Sequence, residues 1–256
     1  MYRASPRDGT AFVTGASSGI GRGVALELAR RGYKVVAVAR RLAELQLLAQ
    51  EAGGNIIAMP GDVTDKEAMR ALIAAAEAGH GPVCLAFLNA GTYYPDAAGH
   101  VDAEAVMRTF GVNVGGAVNC LEPLVAGMAA RGRGQIALNA SVAGYGPLPR
   151  SMAYGATKAA LINMAGSLKF ALNRVGINVQ VVNPGFVRTP LTDKNDFPMP
   201  FLVELDAAAK TICDGFERSG FEITFPRKLA WILKAVNLLP YPLYFWLVGK
   251  ATGVKG

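Results

Sequence analysis

Short apolar runs rich in β-branched residues alternate with stretches of helical length from the N-terminus to about residue 225. The runs are mostly continuous and do not alternate between apolar and polar positions, which is typical of strands that are buried on both faces. They predict strands at Thr10–Thr14, Lys34–Ala39, Asn55–Met59, Val83–Leu88, Gly134–Ala140, Ile177–Asn183 and Phe221–Phe225.

Stretches rich in Ala and Leu lie between these runs and predict helices near residues 19–31, 41–52, 65–78, 102–130, 151–174 and 204–218. We expect the helix at 102–130 to bend or break at Gly111 and Pro123. The regular alternation of strand and helix predicts an α/β fold with a Rossmann-like, doubly wound, mainly parallel seven-stranded sheet and helices on both faces. Since no linker interrupts it, we expect residues 1–225 to form a single domain.

Residues 226–256 depart from this alternation. They contain two apolar segments separated by Pro240 and Pro242, and we expect a helical apolar tail that is not an independent domain. The longest stretch without a charged residue runs from Ala235 to Gly249, which is shorter than the roughly 18–20 residues that a membrane-spanning helix needs. The tail is therefore not expected to cross a bilayer.

Composition and charge then limit the class of protein. The chain is 52% apolar and 18% charged, which favours a compact globular protein over a disordered one, and its formal net charge is +7. Residues 226–256 hold five Lys or Arg and no Asp or Glu, so the rest of the chain is nearly neutral, with 21 basic and 19 acidic residues. Because the excess lies in an apolar tail and not in a groove-like stripe, we expect no nucleic-acid partner.

Cysteine and histidine usage gives no sign of a disulfide framework or a metal site. Cys84, Cys120 and Cys213 lie far apart with no CxxC pair, and His80 and His100 match no metal-binding motif. The N-terminal residues contain no apolar segment typical of a secretory signal. A cytoplasmic location is therefore expected, with membrane association left open because of the tail.

The glycine-rich segment TGASSGIG at residues 14–21 directly follows the first predicted strand and opens the first predicted helix. Its glycines let the chain turn sharply and bring backbone N–H groups and the helix N-terminus against a diphosphate. A connection that needs glycine only for helix packing is the alternative. The predicted diphosphate contacts are Gly15, Ser17, Ser18, Gly19, Ile20 and Gly21.

The spacing T-G-x-x-x-G-x-G, together with NAG at 89–91 and YGATK at 154–158, resembles the short-chain dehydrogenase/reductase family in its compact one-domain form. The resemblance covers about residues 9–225. It implies a dinucleotide-binding catalytic domain and an oxidoreductase that transfers hydride between a nicotinamide cofactor and a carbonyl or alcohol group. A cofactor-sensing binding protein of the same fold, without turnover, is the alternative function.

The end of the second strand indicates which nicotinamide cofactor is used. In this fold an acidic residue there binds the ribose of NAD, whereas an arginine accommodates the 2′-phosphate of NADP. The sequence has Ala39 at that position, followed by Arg40 and Arg41. NADP(H) is therefore favoured over NAD(H), and a solvated helix start is the alternative explanation of the two arginines.

The resemblance also implies the remaining cofactor contacts. Asp62 would bind the adenine edge and Val63 would pack on the ring, although Asp62 also fits a helix-capping role. The NAG segment would line the adenine ribose, and the PGFVRTP segment at 184–190 would turn under the nicotinamide and bind its carboxamide. These further candidates are Asn89, Ala90, Gly91, Pro184, Gly185, Val187 and Thr189.

Tyr154 and Lys158 stand at i and i+4 of a predicted helix, so their side chains share one face. An ammonium group one turn away stabilises a tyrosine anion, which otherwise forms only near pH 10. The resemblance implies that Tyr154 is the general acid or base, that Lys158 lowers its pKa and binds the nicotinamide ribose, and that Ser141 orients the substrate oxygen. It also implies that Asn113 holds a water in a proton relay.

Asn139 departs from the family pattern just before Ser141, where small or hydroxyl residues are usual. Two interpretations stay open for its side chain: hydrogen bonds to the loop backbone, or a reach towards the cofactor.

Apolar and aromatic residues near these motifs predict a pocket for a hydrophobic ketone, aldehyde or alcohol. The candidate substrate contacts are Tyr93, Val142, Tyr145, Leu148 and Phe186, with a lid over 191–202 that includes Phe197 and Phe201. A homo-oligomer, with a dimer favoured, is expected through the helices at 102–130 and 151–174. The tail either folds over the substrate entrance or a helix of the chain or its partner, or lies on an anionic membrane through residues 227–250.

Overall fold

The computed structural model of the chain describes residues 2–95, 100–194 and 199–253. Its strands are β1 (Thr10–Thr14), β2 (Val35–Ala39), β3 (Ile56–Pro60), β4 (Val83–Leu88), β5 (Gly134–Asn139), β6 (Ile177–Pro184) and β7 (Glu222–Phe225). These strands form one parallel sheet in the order β3-β2-β1-β4-β5-β6-β7. The predicted fold class is confirmed.

Helices cover both faces of this sheet. They are α1 (Gly19–Arg30), α2 (Leu42–Glu51), α3 (Lys66–His80), α4 (Ala103–Phe110), α5 (Gly116–Ala130), α6 (Met152–Leu172), α7 (Leu205–Phe216), α8 (Arg227–Val236) and α9 (Tyr241–Thr252). Up to β7, no predicted end of a strand or helix differs from the observed end by more than two residues.

Two apolar clusters hold the layers together because side chains alternate between the faces of each strand. Ala11 and Val13 of β1 face the cluster that includes α1, α2 and α7, whereas Phe12 faces the cluster that includes α3, α5 and α6. The chain order reverses between β1 and β4. In open α/β sheets ligands bind at such a reversal, outside the carboxyl ends of the strands.

The predicted break in the helix at 102–130 occurs at its first candidate position. Gly111–Gly115 form a single π-helical turn between α4 and α5, and Asn113 lies buried within that turn. Pro123 lies inside α5, which continues to Ala130. Turns of this type often occur at functional sites, and this one aims Asn113 at the carboxyl edge of the sheet.

The tail forms α8 and α9, which pack beside the carboxyl edge. Leu229 and Ala230 of α8 are buried in a small apolar cluster with Val142, and Phe186 packs against the same cluster. From α9, the buried Tyr244 donates a hydrogen bond to the Pro147 carbonyl at 2.6 Å. Among the described residues, no helix is both long enough and apolar enough to cross a membrane.

Candidate active site

The glycine-rich turn packs directly on the end of β4. Gly15 has a φ of +66°, and a Cβ there would lie 2.9 Å from Ala90 Cα. A Cβ on Gly21 would lie 2.4 Å from the Gly15 carbonyl oxygen and 2.5 Å from Asn89 Nδ2. Gly19 has a φ of +55° and lies against Thr189. Close packing and left-handed backbone geometry therefore both require glycine here. This agrees with the alternative interpretation in so far as the glycines are needed for packing.

The first turn of α1 has the properties of an anion site. Ser18 is its N-cap residue, but the Ser18 side chain makes no capping hydrogen bond to a backbone N–H of the first turn. The first turn consists of Gly19, Ile20 and Gly21 and has no acidic residue. The first N–H groups of a helix need hydrogen-bond acceptors. The positive end of the helix dipole lies at the same place and favours an anion. A cofactor diphosphate fits this site.

Arg40 and Arg41 flank the surface beside this turn, and both are exposed. The Arg41 guanidinium donates a hydrogen bond to Ser17 Oγ at 3.0 Å. The main-chain N–H of Thr64 and, more weakly, the charge of Arg40 lower the pKa of Asp62 below its ordinary value. Ala39, at the end of β2, leaves that position without a carboxylate. Cationic side chains from two directions suit a phosphate group on the cofactor ribose.

Asp62 is not the cap of α3. Its carboxylate accepts hydrogen bonds from the Thr64 N–H and hydroxyl at 2.9 and 2.8 Å, whereas Asp65 caps the helix by accepting from the Ala68 N–H at 3.0 Å. The capping role that stayed open for Asp62 is therefore wrong, because the helix begins after Asp65. Val63 is buried and packs against Gly116.

Thr14 ties the NAG segment to β1. Its hydroxyl accepts from the Asn89 and Ala90 N–H groups at 2.9 and 3.0 Å, and its carbonyl accepts from Asn89 Nδ2 at 3.0 Å. Thr14 is the first residue of the TGASSGIG motif, so the sequence offered a signal for this anchoring role. Gly91 follows, and a Cβ there would lie 3.2 Å from Asn113 Oδ1 and 3.7 Å from Lys158 Nζ.

Among the described residues, the side chain of Asn139 makes no hydrogen bond to the loop backbone, and its reach towards a cofactor stays a prediction. Its Nδ2 donates to Asn89 Oδ1 at 2.8 Å and so joins the ends of β4 and β5. Its Oδ1 is buried and has no hydrogen-bond partner among the described residues. The main-chain carbonyl of Asn139 accepts from Lys158 Nζ at 2.7 Å.

Ser141, Tyr154 and Lys158 lie together at the carboxyl edge. Ser141 Oγ accepts from the Ala143 N–H at 3.1 Å, and its hydroxyl is hydrogen-bonded to the Tyr154 phenol. Lys158 Nζ lies 5.4 Å from the centre of the Tyr154 ring. The i, i+4 spacing on α6 thus places both side chains beside the serine that follows β5.

Burial sets the ionisation of these groups in the protein alone. It raises the pKa of Tyr154 to about 12, against a hydrogen bond with Ser141 that lowers it. It lowers the pKa of Lys158 to about 8. Desolvation of the phenolate outweighs the hydrogen bond with Ser141, and the lowering of the Tyr154 pKa by Lys158 stays a prediction.

The amide of Asn113 is held entirely by neighbouring side chains and backbone. Oδ1 accepts from the Thr92 N–H at 2.7 Å, and Nδ2 donates to the Thr92 carbonyl at 3.1 Å and to Thr157 Oγ1 at 3.0 Å. Thr92 and Thr157 therefore fix Asn113 beside the catalytic helix. Neither threonine was singled out from the sequence, since no local spacing connects them to Asn113.

The segment after β6 lies between Ser141 and the tail. A Cβ on Gly185 would lie 2.9 Å from Pro226 Cδ and 3.1 Å from Leu229 Cδ2, so the tail packs against this turn. Thr192, which sequence reasoning missed, donates to the Val187 carbonyl at 2.7 Å, and its hydroxyl lies 3.3 Å from that of Thr189. Pro184 ends β6, and its carbonyl lies 3.4 Å from Ser141 Oγ.

The predicted substrate residues have different surroundings. Tyr93 meets the Tyr154 ring edge to face, with centroids 5.2 Å apart, and donates a hydrogen bond to the Arg150 carbonyl at 3.3 Å. Val142 directly follows Ser141, and Phe186 packs with it against Leu229 and Ala230 of α8. Leu148 is half-buried, Phe201 is half-exposed, and Phe197 lies outside the described residues.

Tyr145 is tied into the protein and does not offer its hydroxyl to a substrate. The hydroxyl donates to Glu222 Oε1 at 2.6 Å and lies 3.1 Å from Thr224 Oγ1. Glu222 also accepts from Asn183 Nδ2 at 2.7 Å and pairs with Lys234 of α8. The position of this hydroxyl facing β7 could be known only from the tertiary structure, and the role of the Tyr145 ring as a substrate contact stays a prediction.

Glu222 and Lys234 were missed from the sequence and form the polar link between tail and sheet. Burial opposes the charge of Glu222, but hydrogen bonds from Lys234, Tyr145 and Asn183 hold the pKa of its carboxyl below the ordinary value. Lys234 Nζ lies 4.8 Å from the centre of the Tyr145 ring. This cluster fixes α8 against the loop that carries Ser141.

Comparison with known proteins agrees with this geometry. The family model described as short chain dehydrogenase matches residues 9–198. An uncharacterized oxidoreductase of Myxococcus xanthus is 40% identical over 238 residues, which are 92% of this chain and 94% of that protein. A 2-keto-3-deoxy-L-fuconate dehydrogenase of Xanthomonas campestris is 36% identical over 180 residues, which are 70% of this chain and 58% of that protein.

Solved structures show the same similarity. A short-chain type dehydrogenase/reductase from Mycobacterium marinum superposes with a TM-score of 0.77 at 25% identity, over 86% of this chain and 94% of that one. A crystal structure of an actinorhodin polyketide ketoreductase with NADPH superposes with a TM-score of 0.79 at 25% identity, over 89% of this chain and 99% of that one.

Proposed function

The chain belongs to the short-chain dehydrogenase/reductase family, and we propose that it uses NADP(H) to interconvert a hydrophobic carbonyl compound and its alcohol. Family membership makes it a nicotinamide-dependent oxidoreductase that acts on CH–OH and C=O groups. The observation that carries the proposal is the meeting of Ser141, Tyr154 and Lys158 in a chain whose first helix has an N-terminus suited to an anion and an arginine, Arg41, that contacts the turn before it.

The cofactor proposal depends on Arg40 and Arg41. Within the part of the chain that the structure describes, no carboxylate stands at the end of β2, and Arg41 already reaches Ser17 of the diphosphate turn. A 2′-phosphate would gain charge-assisted hydrogen bonds there, whereas a bare ribose would not. The similarity to a ketoreductase solved with NADPH supports the same choice.

Proton transfer is assigned to Tyr154. When bound, NADPH supplies the hydride for reduction of a carbonyl carbon. Tyr154 donates a proton to the carbonyl oxygen, and Ser141 donates a hydrogen bond to the same oxygen. Burial raises the pKa of Tyr154 to about 12, so the phenol carries its proton at neutral pH and has one to donate to a carbonyl oxygen.

Lys158 assists Tyr154 through its positive charge. Its ammonium group faces the Tyr154 ring and is held by the Asn139 carbonyl. Its positive charge stabilises the phenolate that forms as the proton leaves, an effect that is strong where water is excluded. Asn113 fixes the neighbouring backbone through Thr92 and Thr157.

We propose a hydrophobic substrate because the residues near Tyr154 and Ser141 are apolar or aromatic. Tyr93 packs on the Tyr154 ring, Val142 directly follows Ser141, and α8 packs on Val142 and Phe186. Residues 1–225 would act as one catalytic domain in the cytoplasm, as a homodimer.

Tyr154→Phe is the central test of this function. We expect the variant to lose NADPH-dependent reduction of aldehydes and ketones of graded chain length, and to bind NADPH as the parent does by fluorescence titration. Tyr241→Phe, at an exposed tyrosine of α9, is the matched control and should retain turnover. Turnover by Tyr154→Phe would refute the role assigned to the phenol. Tight NADPH binding by the parent without turnover of any substrate would instead support the sensor alternative.

A further inference from the structure

The two tail helices expose an unusual concentration of large apolar side chains. Both tryptophans of the chain lie in it, with Trp231 65% and Trp246 60% exposed. Elsewhere in the described residues the exposed large apolar side chains are spread over many elements. We call these tail residues the apolar tail face; its members are Trp231, Ile232, Leu238, Tyr241, Leu243, Phe245 and Trp246. A concentration of large exposed apolar side chains of this kind marks an interaction site.

The orientation of this face is fixed by the other side of the same helices. Leu229, Ala230, Tyr244 and Val248 are buried against the body. The Lys234 ion pair with Glu222 and the Tyr244 hydrogen bond to Pro147 add polar anchors. The tail helices are therefore held in place by one face, and the apolar tail face is turned outward by the fold.

The charges around the face point to an anionic partner. Arg227, Lys228 and Lys250 are exposed, and residues 226–256 contain no Asp or Glu. Lys250 Nζ lies 5.2 Å from the ring centre of Trp246, a neighbouring aromatic of the face. Aromatic side chains beside lysines are typical of helices that lie at the boundary of lipid headgroups and acyl chains.

A second copy of the chain fits this face less well. Pairing two tails would bring like charges together, and the tail offers no carboxylate to neutralise them. Anionic headgroups would neutralise them. The 12 residues of α9 span about 18 Å, so the helix is suited to lie along a bilayer surface and too short to cross it.

We infer that the apolar tail face docks on the surface of an anionic lipid bilayer. The inference rests on the proposed function in one respect: the back of α8 packs on Val142 and Phe186, so docking holds the substrate side of the enzyme next to the membrane that carries the apolar substrate. The tail then both covers Val142 and Phe186 and attaches the protein to the lipid surface.

Flotation of the full-length protein with lipid vesicles tests this inference. We expect flotation with vesicles of phosphatidylcholine mixed with phosphatidylglycerol, and much weaker flotation with phosphatidylcholine alone. Trp231→Ala with Trp246→Ala should abolish it. The control pair Leu47→Ala with Phe170→Ala, at exposed apolar positions on α2 and α6, should leave it unchanged.

The charge contribution is measured with Lys228→Gln and Lys250→Gln together. Each lysine near an anionic membrane surface strengthens partitioning by a factor of about 5.4. The double variant should therefore show a partition coefficient on anionic vesicles about thirtyfold lower. Failure of the parent to float, or equal flotation of the tryptophan variant, would overturn the inference. Conversion of a dimer to a monomer by the tryptophan changes, without flotation of the parent, would assign the face to a second copy.

Failure of the inference and failure of the proposed function give different results. The tryptophan variant should oxidise NADPH with a short, water-soluble aldehyde as fast as the parent does. An enzyme that turns over this aldehyde without floating contradicts only the docking. A protein that floats without turning over any carbonyl compound contradicts only the proposed function.

Discussion

Removal of one hydroxyl group at Tyr145 tests whether the tail is anchored as the structure indicates. Tyr145→Phe keeps the ring, which packs against the cluster of Leu229 and Ala230, and deletes the hydrogen bond to the ionised Glu222. Hydrogen bonds to charged groups contribute about 1.5–3 kcal/mol. Glu222 keeps its contacts with Asn183 and Lys234 and is not left unpaired, so we expect a loss of about 2 kcal/mol.

For a chain of this size, that loss lowers the Tm by about 4–8 °C. Differential scanning calorimetry without nucleotide measures it, and a urea titration gives the change in free energy of unfolding. Tyr241→Phe removes the hydroxyl of an exposed tyrosine and is the matched control, with no expected change in Tm.

Kinetics complete the test, because the sequence alone had assigned Tyr145 to the substrate pocket. If its hydroxyl serves Glu222, kcat/KM for a short aldehyde should stay close to that of the parent below the Tm. A Tm equal to that of Tyr241→Phe would refute the anchoring role. A large fall in kcat/KM with an unchanged Tm would restore the substrate contact.

Three further predictions address the cofactor turn and the catalytic lysine. Arg41→Ala should weaken NADPH binding about tenfold to a hundredfold and NADH binding far less, with Arg30→Ala at the end of α1 as control; equal losses for both nucleotides would contradict the phosphate assignment. Gly21→Ala forces a Cβ to 2.4 Å from a backbone oxygen and should abolish nucleotide binding and lower the Tm, whereas Gly79→Ala, in open space on α3, should not; normal binding by the former would refute the tight turn. Lys158→Met should lose turnover, and its Tm relative to the parent should fall as the pH rises from about 8 towards 10.5. In that window Lys158 of the parent is protonated in the unfolded chain and neutral in the folded one, so the parent gains stability that the variant lacks; a constant difference would contradict the lowered pKa of Lys158.

The sheet and the core of the catalytic site could be predicted from local patterns. Continuous apolar runs such as Val35–Ala39 show burial on both faces, and their order along the chain predicts a parallel sheet. Tyr154 and Lys158 share a helix face by their spacing alone. The glycines of residues 14–21 carry their own conformational signal, and Gly15 and Gly19 do adopt positive φ.

Contacts between distant polar residues could not be predicted in this way. Asn139 meets Asn89 across 50 positions, and Tyr145 meets Glu222 across 77. No periodicity relates such pairs, because they are brought together by neighbouring strands and by the return of α8 to the carboxyl edge. The burial that raises the pKa of Tyr154 is likewise a property of the assembled site.

The fold class, the glycine-rich turn, the shared helix face of Tyr154 and Lys158 and the charge of the tail could be predicted from the sequence, since each depends on spacing within one element or on composition. That the Tyr145 hydroxyl anchors α8, and which side of the tail is exposed, became known only from the folded chain. The physical reason is that hydrogen bonding and burial depend on which elements become neighbours in space, and residues far apart in the chain carry no local record of that.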